Sequence, residues 1–183
     1  SQSAMYKVWL DLESVHSEFP MRFSWKPDMY TWDDFRAYVS QWSINGGPDA
    51  IVVNKAVHEA SAYVKDFSAI SQELLLEEYN KRAWDLAKLL TNGMLNATKL
   101  FWREVYWNPP TVPARAAHIM NEMRISTNEI FSSSGFSIIP AYNESKSCMG
   151  HTTMYHQVVG VKRVVLNNFF NQFCNTKTAH SHN

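Results

Sequence analysis

The chain has two cysteines and six glycines in 183 residues, and only 19% of those residues are charged. Two cysteines exclude a disulfide-dense scaffold, and a chain of this length buries a core without needing one. The glycines fall in no G-x-G-x-x-G turn, G-x-x-x-x-G-K loop or G-x-S-x-G elbow, and C-x-x-C and H-E-x-x-H are also missing. Each of those patterns places a particular chemistry at a fixed spacing, so their absence makes whole classes of enzyme improbable and leaves no expected cofactor and no expected metal.

No run of about 18 apolar residues occurs, so no transmembrane segment is expected. Lysine plus arginine balances aspartate plus glutamate at 17 each, and no stretch concentrates basic residues. The electrostatic footprint of a nucleic-acid binder is therefore missing, and no nucleic-acid partner is expected.

What is present is aromatic. Phe, Trp and Tyr make up 14% of the chain with seven Trp, so a large apolar area must be hidden in a core or against a partner. With low charge, that excess points to a structural or protein–protein interaction subunit, an assembly component of a larger complex or a homo-oligomer, and the balance leans away from an enzyme. The alternative is a hydrolase whose site gathers His, Glu and Cys residues from distant segments. A second alternative is a secreted toxin or effector, favoured by the cysteine pair and the amphipathic segments.

The pattern along the chain predicts a mainly α fold: a single-domain helical bundle over 1–183 with one long central helix, and short β segments near the N-terminus and around 135–165. Residues 1–5 read as a tag or processed end, and 176–183 as a frayed tail. A cap at Thr31 precedes Trp32, Phe35, Val39 and Trp42 on one helical face. Pro48 suits the first turn of a second helix with Val53, Val57, Ala60, Val64 and Phe67 on its stripe.

The longest seam starts near Ser71 and runs through Leu75, Tyr79, Leu86, Leu90, Met94, Ala97, Phe101 and Val105 to Trp107, with Asn92-Gly93 as the place for a break. Pro113 opens a further helix that Ser132-Ser133-Ser134-Gly135 closes. Pro140 then restricts the apolar run at 135–142 to an edge strand or extended loop. The C-terminal part reads as an irregular or strand-like segment turning into a helix through Leu166, Phe169, Phe170 and Phe173.

The catalytic candidates are His118, Glu122, Cys148, His151 and His156. His118 and Glu122 stand at i, i+4 on a predicted helix, where they suit a base with its orienting carboxylate, or equally a surface pair. His151 and His156, five apart, converge in neither a helix nor a strand. Cys148 in a polar loop is the better nucleophile of the two thiols, with His118, His151 or His156 as its base. Trp102, Tyr106 and Trp107 beside Arg103 are candidates for ligand stacking, against core and partner packing.

A bridge between Cys148 and Cys174 requires the chain between them to fold back, because a continuous helix would hold the two about 39 Å apart. The compartment depends on whether that bridge forms.

Overall fold

A computed structural model of the chain describes residues 12–13, 22–23, 37, 39–40, 42, 44, 48–54, 56, 71–93, 98–107, 112–147 and 159–175. Near the N-terminus β1 (Leu12–Glu13) pairs antiparallel with β2 (Arg22–Phe23). The body is built from β3 (Ala50–Val53), α1 (Gln72–Gly93), β4 (Lys99–Arg103), α2 (Ala114–Ser133), β5 (Ser137–Ile139), α3 (Tyr142–Ser147) and α4 (Val159–Asn175).

β3, β4 and β5 form one parallel sheet in that order. Parallel neighbours need a crossover, and α1 and α2 lie in the two connections. This corrects the expectation of a mainly α helical bundle: the described chain is α/β.

Side chains alternate across the sheet and build two cores. Ile51, Val53, Leu100, Trp102 and Ile138 face α1 and α2, where they meet Tyr79, Leu90, Ile119, Met123 and Phe131. Ala50, Phe101 and Ile139 face the other way, into a cluster with Val161, Val165, Phe169 and Phe173 of α4. A strand covered on both faces carries a nearly continuous apolar run. KLFWR is that run, and its Trp102 and Phe101 are among the most buried side chains, at 0% and 1% exposure.

Two corrections follow. The predicted 71–107 helix is α1 ended at Gly93 and then a strand, because three consecutive apolar residues, Leu100, Phe101 and Trp102, match a helical stripe as well as a strand. The predicted helix after Pro48 begins instead as β3, whose Ile51, Val52 and Val53 are β-branched. Its remaining stripe, Val57 to Phe67, lies outside the described residues.

The other helices follow their end signals. Pro113 precedes α2 with an extended ψ of 130°. At the far end Phe136 N–H donates to Phe131 O at 3.0 Å and Gly135 N–H to Ser132 O at 3.1 Å, with Gly135 at φ +87°. That is a Schellman closure, and the Phe131 and Phe136 rings meet at 4.9 Å as its hydrophobic contact.

In α4 the core stripe is Val161, Val165, Phe169 and Phe173. Its last turn is tied to the sheet by Lys99 Nζ, which donates to Phe173 O at 3.2 Å, and by Gln172 Nε2, which donates to Ile138 O at 3.0 Å. No helix among the described residues is long and apolar enough to cross a membrane.

Among the described residues Tyr79, Phe101, Trp102, Phe131 and Phe136 are buried, while Trp84 is exposed. Trp102 stacks on Phe131 at 4.3 Å, and Phe101 meets Phe169 edge-on at 5.0 Å. These buried rings serve the two cores, and the reading of a structural, helical-bundle protein falls with the bundle.

Candidate functional site

In open parallel sheets ligands bind outside the carboxyl ends of the strands, where the connecting loops gather. Here those ends are Asn54 after β3, Glu104 to Trp107 after β4, and Pro140 to Tyr142 after β5. Asn54 is exposed, and two residues on Ala56 is buried with φ at +148°, a backbone region that disfavours side chains. Such strain costs about 1–3 kcal/mol and concentrates where a chain is held for function.

Glu104 organises this edge. Its side chain faces α2, buried at 8% exposure, and both oxygens are fully used. Oε1 accepts from Arg124 Nη1 at 3.0 Å and from Asn128 Nδ2 at 2.9 Å. Oε2 accepts from the backbone N–H of Ala141 at 3.1 Å and of Tyr142 at 3.0 Å. Burial alone would raise its pKa, but the four donors outweigh burial and hold it below the usual carboxylate value. Asn128 Oδ1 in turn accepts from Trp102 Nε1 at 3.0 Å, and Trp107 N–H donates to Ser145 Oγ at 2.7 Å. One carboxylate thus joins β4, α2 and the start of α3.

On the opposite face of β4, the Arg103 guanidinium lies 4.2 Å over the Tyr106 ring. Its pKa is lowered, chiefly by burial, with Tyr106 opposing. On α3, Glu144 Oε1 accepts from Asn168 Nδ2 at 3.4 Å, while Oε2 is buried without a partner among the described residues.

His118 and Glu122 sit one turn apart on α2: His118 is exposed, on a stripe with Ile125 and Glu129, and Glu122 is half-buried. No side-chain hydrogen bond or ion pair links them among the described residues. Trp102 is fully enclosed, which leaves it no face for a ligand, whereas Tyr106 and Trp107 are half-buried just past the end of β4. Cys174 is exposed near the end of α4 as a free thiol. Cys148, His151 and His156 lie outside the described residues. Glu104 and Glu144 carry no signal of a site in the sequence beyond the place of Glu104 after an apolar run, and Arg103 is marked there only as the cation beside Trp102, Tyr106 and Trp107.

Solved structures share this architecture. One is LAE5, an alpha/beta hydrolase enzyme from the metagenome of Lake Arreo, Spain, with a TM-score of 0.56 at 12% identity over 77% of this chain. Another is a mutant of Axe2, an acetyl-xylooligosaccharide esterase from Geobacillus Stearmophilus, with a TM-score of 0.55 at 12% identity over 77% of this chain. What the chain shares with them is the α/β fold. It spans 66% of each of those two chains. No family model matches the chain, and no curated protein does.

Proposed function

We propose that the chain is a hydrolase that cleaves an ester at the carboxyl edge of its sheet. The observation that carries this reading is the bracketing of residues 148–158. α3 begins at the Glu104 network and ends at Ser147, and α4 starts at Val159 and packs Val161 in one cluster with Ile139 and Ala141 at the end of β5. The chain between those two points carries Cys148, His151 and His156. The fold likeness to hydrolases, one of them an esterase, supports the same reading.

In this scheme an imidazole of His151 or His156 takes the proton from Cys148, or from a water, as that group attacks the ester carbonyl. The same imidazole then returns the proton to the leaving alcohol; where Cys148 is the attacking group, a water deprotonated by that imidazole next cleaves the thioester, releasing the acid and restoring the thiol. Glu144 Oε2, buried and without a partner among the described residues, is an acceptor available on α3, the helix that leads into this segment.

Hydrolysis of p-nitrophenyl acetate tests this. The native protein is expected to release nitrophenol above the buffer rate. His151→Ala or His156→Ala is expected to lower kcat by about 100-fold or more, the usual worth of a positioned base. Native activity no higher than buffer, or activity unchanged in Cys148→Ser, His151→Ala and His156→Ala alike, would reject the proposal.

A further inference from the structure

The carboxyl edge holds two arginines stacked on tyrosines, and they differ in one respect. Arg124 lies 4.1 Å over Tyr142, and each of its three nitrogens donates a hydrogen bond: Nη1 to Glu104 Oε1 at 3.0 Å, Nε and Nη2 to Asn121 Oδ1 at 3.3 and 3.2 Å. Arg103 lies 4.2 Å over Tyr106 in the same manner. Yet among the described residues its hydrogen bonds are a long one from Nη1 to Glu104 O at 3.5 Å and a side-chain bond with Tyr106.

A guanidinium carries five N–H donors in a fixed fork, and taking it partly out of water is costly without a counter-charge. Arg124 receives that charge from Glu104. For Arg103 no carboxylate is in reach among the described residues. Arg103 is moreover the last residue of β4, at the edge where an open parallel sheet receives its ligands. The aromatic plane beneath it restrains the fork in orientation, as the Tyr142 ring does for Arg124.

We infer that Arg103, held over Tyr106, is a receptor for an oxyanion carried by the ligand, taking the place that Glu104 fills for Arg124. The inference rests on the hydrolase reading only in treating that ligand as the substrate, which then bears a carboxylate or a phosphate beside the bond to be cleaved. The fork geometry suits either, since both present two oxygens to parallel N–H donors.

The test is a titration of the full chain with sodium succinate and, separately, with sodium phosphate, at constant ionic strength set by chloride. Binding is read by calorimetry and by the rise of the thermal midpoint. Saturable binding of one of the two anions is expected, and which one binds assigns the chemistry. Arg103→Gln is expected to weaken it by about ten- to a hundredfold, the range for a lost charge-assisted hydrogen bond.

Arg103→Lys keeps the charge and loses the fork, so intermediate affinity is expected; it also provides the reading if the glutamine variant does not fold. Arg163→Gln, on the exposed side of α4, is expected to bind as the native chain does. No saturable binding of either anion to the native protein would overturn the inference, as would native affinity in folded Arg103→Gln or, failing that, in Arg103→Lys. Because the titration needs no turnover, an absence of ester hydrolysis would remove the hydrolase reading and leave this result standing by itself.

Discussion

Glu104 shows how one side chain fixes an edge of the fold. Its four donors come from two helix side chains and two backbone N–H groups, so the carboxylate is needed as an acceptor on both oxygens. In Glu104→Gln the amide nitrogen must face either Arg124 and Asn128 or the Ala141 and Tyr142 N–H groups, a donor against donors in both cases. Unfolding in urea should show a loss of about 3 kcal/mol, the order expected when a buried charge pair is broken. A loss under about 0.5 kcal/mol, the usual surface range, would show the network to be idle.

The same residue sets a pH dependence. Its folded pKa is below the ordinary 4.5, so between the two values the unfolded chain binds more protons than the folded one, and stability rises with pH there. The contribution is full above about pH 4.5 and is lost as pH falls through the folded value. The native protein should therefore lose stability more steeply than Glu104→Gln on acidification below that point; parallel curves would exclude Glu104 as the cause. Of all this the sequence disclosed only residue types. Cysteine and histidine are conspicuous by their chemistry, whereas Arg103 and Glu104 gain their roles from strand register, which places consecutive residues on opposite faces.

At the scale of elements, end signals were legible and interiors were less so. Pro113 and the serines before Gly135 mark the limits of α2, and the Phe169–Phe173 spacing belongs to α4, because proline, glycine and a one-sided stripe act through local geometry. β4 was hidden for a physical reason: with α1 and α2 on one face and α4 on the other it has no polar side, so period-2 alternation is erased. β3 was masked by Pro48, which fits a helix start as well as a strand approach. The central position of β4 predicts its dynamics. Amide exchange is expected to be slowest at Phe101 and Trp102, which have a register partner on each side, and faster in β3 and β5, each paired on one side among the described residues. Equal or faster exchange in β4 would contradict the strand order.

For the whole molecule the decisive feature is that both cores share one sheet. Phe101 and Trp102 are adjacent in β4, yet one belongs to the α4 cluster and the other to the α1 and α2 cluster. Neither layer can lose its packing while the sheet persists with one bare apolar face, so the two should unfold together. Phe131→Ala removes the ring stacked on Trp102 at 4.3 Å and should cost about 3–5 kcal/mol. Phe169→Ala removes the ring edge-on to Phe101 at 5.0 Å, from a half-buried position, and should cost less, about 2–3 kcal/mol. Each variant should shift a single transition, with Trp fluorescence and far-UV dichroism giving the same midpoint. If Phe169→Ala instead split the transition, with an early dichroism change and an unchanged Trp signal, α4 would be a separately melting layer. The Arg103 edge, which lies on the α4 side of β4, would then depend on that layer alone for its shape.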